Sequence, residues 1–297
     1  GRLDGTNIIH PQVAIITSVG FDHMDVLGES ISAIAAEKAG IIKSGVPLVS
    51  GVEWEDARAI IESEAARVGA PIIRVSESAK IQLRDATSTA PRYGQAFQVA
   101  TSRATYGITI PVLGEFQRRN AAAAILALEQ LPDALRPSVE NVERALSLVA
   151  IPGRMEVFPG HPTVLFDIAH NGEKAEHLVA SLAEHFPGRR CCFVVAIGES
   201  KDAPQILRAL TKIPATLIFT SFDTAGRTAA RPQRLATIAE SLGAWGRSIA
   251  DPIEALSIAR GNAAPGDVVV VTGSTFVVAT LRAWWLENVA EARPNLV

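Results

Sequence analysis

Two cysteines are all that the 297-residue chain contains, and Cys191 and Cys192 are adjacent. Neighbouring residues cannot build a disulfide framework, so a stapled secreted domain is excluded and a reducing cytoplasm is expected. Both read as ordinary buried residues of a strand. Excess charge is missing as well. The 28 Lys and Arg against 31 Asp and Glu leave −3, which excludes the basic footprint of a nucleic-acid binder. No uninterrupted apolar run approaches the ~20 residues of a membrane helix. Gly-Arg-Leu-Asp at the start is no signal peptide. Also lacking is any Gly-x-x-x-x-Gly-Lys-Ser/Thr loop, whose backbone N–H groups would cradle ATP phosphates. With no initiator Met and no strand ahead of Gly1, the start reads as that of a fragment, or of a chain whose upstream part lies outside this sequence.

What is present is a rhythm of strands and helices. At ~150 residues per domain the length fits two domains. Val13 to Val19 reads as a buried strand ended by Gly20. Ser30 is placed to cap a helix reaching Lys38 or Ala39, which Gly40 stops. Pro47 to Val52 and Pro71 to Val75 read as strands around a helix from Trp54 to Val68, closed by Gly69. Such alternation implies parallel pairing. Between Lys80 and Pro111 the texture turns to Thr, Ser, Gln and Val, as in strands and loops. Asn120 to Leu131 reads as a buried Ala- and Leu-rich helix, with Asn120 as its cap. Ser138 caps another, to about Val149.

Ile151-Pro152-Gly153-Arg154 then breaks the pattern and marks a domain boundary. Beyond it β-α units repeat to a final helix from Thr275 to Val289. The expected architecture is α/β throughout. Residues 1 to 150 form one domain, and residues 151 to 297 a doubly wound, Rossmann-like second.

Several short motifs stand at loop positions. Leu3-Asp4-Gly5-Thr6-Asn7 alone says only that the chain turns. Asp22-His23-Met24-Asp25 follows a strand's carboxyl end, where ligands gather in parallel sheets. Glu37-Lys38-Ala39-Gly40-Ile41-Ile42-Lys43 closes a helix, where a solvated Lys already suits the dipole. Asp167-Ile168-Ala169-His170-Asn171 ends another strand. Gly198 to Asp202 and Gly273-Ser274 follow later strands and open helices, whose N–H groups suit anions.

The order of these motifs resembles folylpolyglutamate synthase and dihydrofolate synthase, of the Mur ligase superfamily. The resemblance runs from Gly1 to about Leu281. It implies the remainder of a central ATPase domain followed by a C-terminal ligase domain, with the phosphate loop and one acidic magnesium ligand upstream of Gly1. It implies ATP-dependent joining of glutamate to a folate carboxylate, or to dihydropteroate, through an acyl phosphate. ATP and Mg²⁺ would be the cofactors, and the protein a cytoplasmic monomer with no membrane or nucleic-acid partner.

Residue by residue, the resemblance places Leu3, Asp4 and Gly5 at the pterin or folate, with Gly5 where relatives have Ala. His23 would hold magnesium, although Mg²⁺ prefers oxygen. Lys38, fifteen residues later, would be carbamylated, which needs enough burial to release its proton. Asn120 would contact the nucleotide, Arg154 the phosphates, and Asp167 the ribose. The guanidinium fork suits phosphate oxygens. His170 would act in catalysis, and Lys201 and Ser274 would touch substrate. Phe116 stands where relatives often have His. Gly172 stands where they have Pro, leaving the following helix less rigidly started. Domain closure around Ile151 to Arg154 is expected.

Two rivals share these features. A peptidoglycan Mur ligase has the same architecture, but the Leu3-Asp4 and Asp167 to Asn171 motifs argue against it. A non-catalytic folate- or nucleotide-binding fragment would explain the absent phosphate loop.

Overall fold

The computed structural model describes residues 1–20, 30–84 and 93–289. The chain forms two compact units. One comprises Gly1–Pro111 and Glu115–Val149, the other Val112–Gly114 and Ala150–Val297.

The first unit contains a parallel three-stranded sheet, ordered β1 (Ala14–Ile16), β2 (Leu48–Ser50), β3 (Ile72–Arg74). Helices α1 (Ile31–Ala39) and α2 (Glu55–Val68) pack on it. Ile34, Leu48 and Ile61 are fully buried in that core. Ser30 caps α1, its hydroxyl accepting from Ala33 N. Gly69 ends α2 in the left-handed region, φ 69°, where a side chain would be strained. One expectation needs correction: Val13 to Val19 is not a fully buried strand. Only three residues pair, and Ile15 is 37% exposed. Among the described residues β1 bonds to β2 alone, and period-two alternation turns Ile15 away from the neighbours of Ala14 and Ile16.

A short helix α3 (Val75–Ser78) leads into an antiparallel sheet of β4 (Lys80–Leu83), β5 (Gln95–Ala100) and β6 (Thr105–Ile110). Helix α4 spans Glu115–Glu129, and α5 Val139–Ser147. Ser138 caps α5, accepting from Asn141 N. Asn120 is not a cap, which is a second correction. It lies inside α4, with Nδ2 donating to Gln117 Oε1 at 3.2 Å. The helix begins one turn earlier because Gly114, at φ 102°, makes the break and Glu115 supplies first-turn negative charge. Its polar opening, Glu-Phe-Gln-Arg-Arg, hides this start from a hydrophobic pattern.

The second unit is built on a six-stranded sheet in the order β13-β10-β9-β14-β8-β7. The strands are β7 (Glu156–Phe158), β8 (Thr163–Phe166), β9 (Cys191–Val195), β10 (Ala215–Phe219), β13 (Gly246–Ser248) and β14 (Val268–Thr272), with a small hairpin of β11 (Asp223–Thr224) and β12 (Arg227–Thr228) outside it. All neighbours pair in parallel except β7, which lies antiparallel beside β8. Helices α6 (Gly172–His185), α7 (Ala203–Leu210), α8 (Pro232–Ser241), α9 (Pro252–Asn262) and α10 (Thr275–Asn288) fill the connections. Every residue of β9 and β14 is buried, as parallel strands covered on both faces require. Cys191 and Cys192 are both free and buried in β9, and burial pushes the Cys191 thiol up to about 12. Among the described residues no helix is long and apolar enough to cross a membrane.

Candidate functional site

In the second unit, three candidate loops leave adjacent strands in one direction. β14 lies between β8 and β9 and is parallel to both. Asp167 to Asn171 follows β8, Gly273-Ser274 follows β14, and Gly198 to Asp202 comes after β9. These carboxyl ends meet where strand order departs from chain order, the usual crevice for ligands in open α/β sheets. Backbone bonds stitch the loops together. Gly273 N donates to Ala169 O at 3.0 Å, and Ala196 N to Thr272 O at 3.2 Å. Gly273 sits at φ 98°, and a Cβ there would lie 2.6 Å from Ala196 O. Only glycine fits that approach.

Asp167 is only 5% exposed. Its Oδ2 accepts from Met155 N at 2.9 Å, and its Oδ1 from Ala169 N at 2.8 Å. Burial raises its pKa to about 6, against the opposing pull of those two N–H donors and of nearby Arg154 and His170. The carboxylate therefore ties the loop holding Arg154 to the loop holding His170. Arg154 is half-buried, between Gly153 at φ 67° and Met155 at φ 46°. Ile168 N donates to Gly153 O at 2.8 Å, a further tie between the two loops.

His170 is held at both ring nitrogens. Nδ1 lies 2.8 Å from Ile168 O, and Nε2 lies 3.1 Å from Lys174 Nζ. A carbonyl can only accept, so the proton is assigned to Nδ1 and Nε2 accepts from the ammonium. Lys174 follows on the first turn of α6, four residues on. Sequence reading gave it no role, because a Lys at the solvent end of a helix carries no motif. Asn171 caps α6, accepting from Lys174 N at 2.9 Å. Gly172 is packed tightly rather than loosely. A Cβ on it would fall 2.3 Å from the Gln205 side chain, so α6 starts against α7.

Ser274 is 5% exposed and caps α10, accepting from Phe276 N at 3.2 Å. Lys201 is half-buried in the turn before α7, with its N–H bonded to Gly198 O at 2.9 Å. Asp202, which caps α7 by accepting from Gln205 N, puts a negative charge at that helix start.

In the first unit, Leu3, Asp4 and Gly5 are exposed on a segment ending in a 3₁₀ turn, Gly5–Ile8. Leu3 is 80% exposed. Asp4 accepts from Thr6 Oγ1 at 2.6 Å and Thr6 N at 2.8 Å, which holds its carboxyl below the ordinary range. Space around Gly5 is open, so Ala would fit there. This segment is bound to the end of α1 by residues that the motifs contain without declaring a role. Arg2 forks onto Glu37, with Nη2 to Oε1 at 2.8 Å. Asn7 Nδ2 donates to Gly40 O, and Lys43 Nζ to Asn7 O, both at 2.9 Å. A Cβ on Gly40 would lie 2.7 Å from Arg2 Cα. Two motifs far apart in sequence are thus one structural piece.

Lys38 is half-buried and donates from Nζ to Ser18 O at 2.9 Å, just past β1. Asn120 is exposed on α4. His23 and its neighbours Asp22 and Asp25 lie outside the described residues. Among the described residues no group of three or more His, Cys, Asp or Glu could hold a metal ion.

Residues 1–128 match the Mur ligase middle domain, and residues 153–275 the glutamate ligase domain of Mur ligases. The dihydrofolate synthase/folylpolyglutamate synthase of Bacillus subtilis is 33% identical over 285 residues, which is 95% of this chain and 64% of that protein. The Escherichia coli protein of the same description is 29% identical over 279 residues, covering 94% of this chain and 61% of its own length. The chain thus spans less than two thirds of these relatives. Among solved structures, E. coli FolC in complex with DHPP and ADP superposes with a TM-score of 0.84 at 26% identity, over 98% of this chain and 65% of that one. Mycobacterium tuberculosis folylpolyglutamate synthase complexed with ADP gives 0.85 at 27% identity, over 99% and 67%. With two Mur ligase domains in the expected order and their folds matched throughout, the chain belongs to the Mur ligase family, beside the folylpolyglutamate and dihydrofolate synthases.

Proposed function

We propose that the protein ligates glutamate to a folate carboxylate at the expense of ATP, with dihydropteroate as a second acceptor. The observation that carries this reading is the convergence of Arg154, Asp167, His170 and Ser274 on stitched loops at adjacent strand ends, in a chain whose relatives are named for that ligation. In the proposed reaction the γ-phosphoryl group passes to the folate carboxylate, giving an acyl phosphate and ADP. The glutamate amine then attacks the acyl carbon, and phosphate leaves.

Each side chain has a chemical task in this reading. Arg154 faces the phosphate oxygens with a fork of donors. Asp167 accepts ribose hydroxyls through the second lone pair on its oxygens, while the first pair holds the loops. His170, with Nδ1–H fixed on Ile168 O, takes the amine's proton at Nε2 only once Lys174 Nζ, which donates to that nitrogen, turns away to a substrate oxygen. Lys201 and Ser274 meet the glutamate carboxylates, Asn120 the nucleotide, and Leu3, Asp4 and Gly5 the pterin. Mg²⁺ ions, one held by His23 and a second by a carbamylated Lys38, would neutralise phosphate charge. Residues 1–297 alone contain no phosphate loop, so we expect no turnover from them in isolation. A reducing cytoplasm fits the two buried thiols.

The test is glutamate incorporation into folates by the full-length protein. Lys38→Ala and His170→Ala should each reduce the rate at least about a hundredfold, on the scale of losing a general base. Full activity in Lys38→Ala would refute the carbamate role. Competition by a muramyl nucleotide, but not by dihydropteroate, would favour the peptidoglycan ligase instead.

A further inference from the structure

The loop carrying Arg154 is gripped by two residues that the proposed reaction does not use. Glu156 opens β7 and accepts from Arg282 at both oxygens, Nε to Oε2 at 2.6 Å and Nη2 to Oε1 at 2.8 Å. The same Oε2 accepts from Gly153 N at 2.9 Å. The pair is largely withdrawn from water, with side chains 21% exposed for Arg282 and 13% for Glu156. Bidentate geometry of this kind adds orientation as well as energy.

Arg282 lies on α10, and its spacing from Ser274 and Val278 puts all three on one helix face. Val278 closes the same loop from beside Arg282. Its Cγ1 lies 3.0 Å from where a Gly153 Cβ would be. Met155, next to Arg154, is a non-glycine residue at φ 46°. Such a backbone persists only where its surroundings over-determine it. Here they do: Asp167 takes Met155 N, Glu156 takes Gly153 N, and Ile168 N bonds Gly153 O.

We propose that Glu156 and Arg282 are positioning residues for Arg154, holding its loop preformed for the polyphosphate of a nucleotide. The inference rests on the reading of Arg154 as a phosphate contact. Arg282 acts in two ways. It anchors the Gly153 amide through Glu156, and it occupies a carboxylate only two residues from Arg154. Without Arg282, that carboxylate competes with phosphate for the Arg154 guanidinium.

The test is calorimetric titration of ADP and AMP into the full-length protein. Arg282→Met and Glu156→Gln should each weaken ADP about tenfold while AMP changes little, the scale of one charged hydrogen bond. Arg282→Lys should recover only part, since an ammonium cannot fork. Added to Arg154→Ala, Arg282→Met should cost nothing more, which a merely structural role would not produce. If Arg154→Ala binds ADP like the parent, the phosphate reading fails and takes this proposal with it. If Arg154→Ala weakens ADP but Arg282→Met and Glu156→Gln do not, or if the losses add, the positioning role alone is overturned. Should Arg282→Met not fold, Glu156→Gln keeps the shape and carries the test.

Discussion

The candidate loops of the second unit grow out of a core, while the Leu3-Asp4-Gly5 segment of the first is tied down at the surface. Asp167 and Ser274 are each 5% exposed, and their polar atoms bond to backbone in adjacent loops or helix starts. Leu3 is 80% exposed, and its segment is held by the Arg2–Glu37 fork, Asn7 and Lys43. The difference concerns how position is enforced. A buried carboxylate with two N–H donors cannot release them without leaving both unsatisfied. An exposed ion pair exchanges its partner for water at little cost. One loop set is therefore rigid by construction. The other is held by weak ties plus one steric fit, at Gly40.

The largest effect should come from breaking the rigid side. Asp167→Ala leaves the Met155 and Ala169 amides without an acceptor, and should destabilise the second unit by about 3 kcal/mol, measured by denaturant unfolding. Hydrogen exchange at those two amides should accelerate together. The charge carries its own pH signature. Burial puts the folded pKa at about 6, above the ordinary 3.8. A raised folded pKa means the stabilisation from this group is complete below 3.8 and is lost as pH rises through about 6. Asp167→Asn should therefore flatten stability against pH across that window. An unchanged profile would show that the carboxyl titrates normally.

A middle-sized effect should come from the steric fit of the first unit. In Gly40→Ala, the new Cβ would meet Arg2 Cβ at 2.5 Å. Backbone stands behind that contact, so the segment must shift, at about 1–3 kcal/mol. Loss of protection at the Arg2 amide, which bonds Glu37 O, is the local readout. Protection equal to the parent would mean that the segment is not fixed by this approach. The smallest effect should be that of Arg2→Met. It removes only an exposed fork onto Glu37 and should leave the denaturation midpoint within error. A marked fall would place the first unit in the same class as the second.

Much of the fold was legible in the chain itself. Ser30 and Ser138 announce their helices, Gly69 ends another, and the runs Cys191 to Ile197 and Asp267 to Thr272 read as strands, of which Cys191–Val195 and Val268–Thr272 pair. These signals are local, because caps, glycines and apolar runs act over a few residues. Where the signal was not local, reading failed. Asn120 passed for a cap because the true start at Glu115 is polar, and its break depends on the φ of Gly114. β7 was missed because three residues pairing antiparallel with β8 make no pattern of their own.

The candidate site divides along the same line. The resemblance carried by motif order put forward Asp4, Lys38, Arg154, Asp167, His170 and Ser274, whereas residue type alone said no more of Asp4 than a turn and of Lys38 than a favourable helix end. Only tertiary structure could pair Lys174 with His170 Nε2, seat Glu156 on Arg282, or fit Gly40 against Arg2. Those partners are common residue types, and what distinguishes them is the atom they face. The chain thus specified which groups would be present and roughly where the backbone turns. Packing decided which of them meet, because a contact between segments far apart in sequence exists only once the sheets and helices between them have closed.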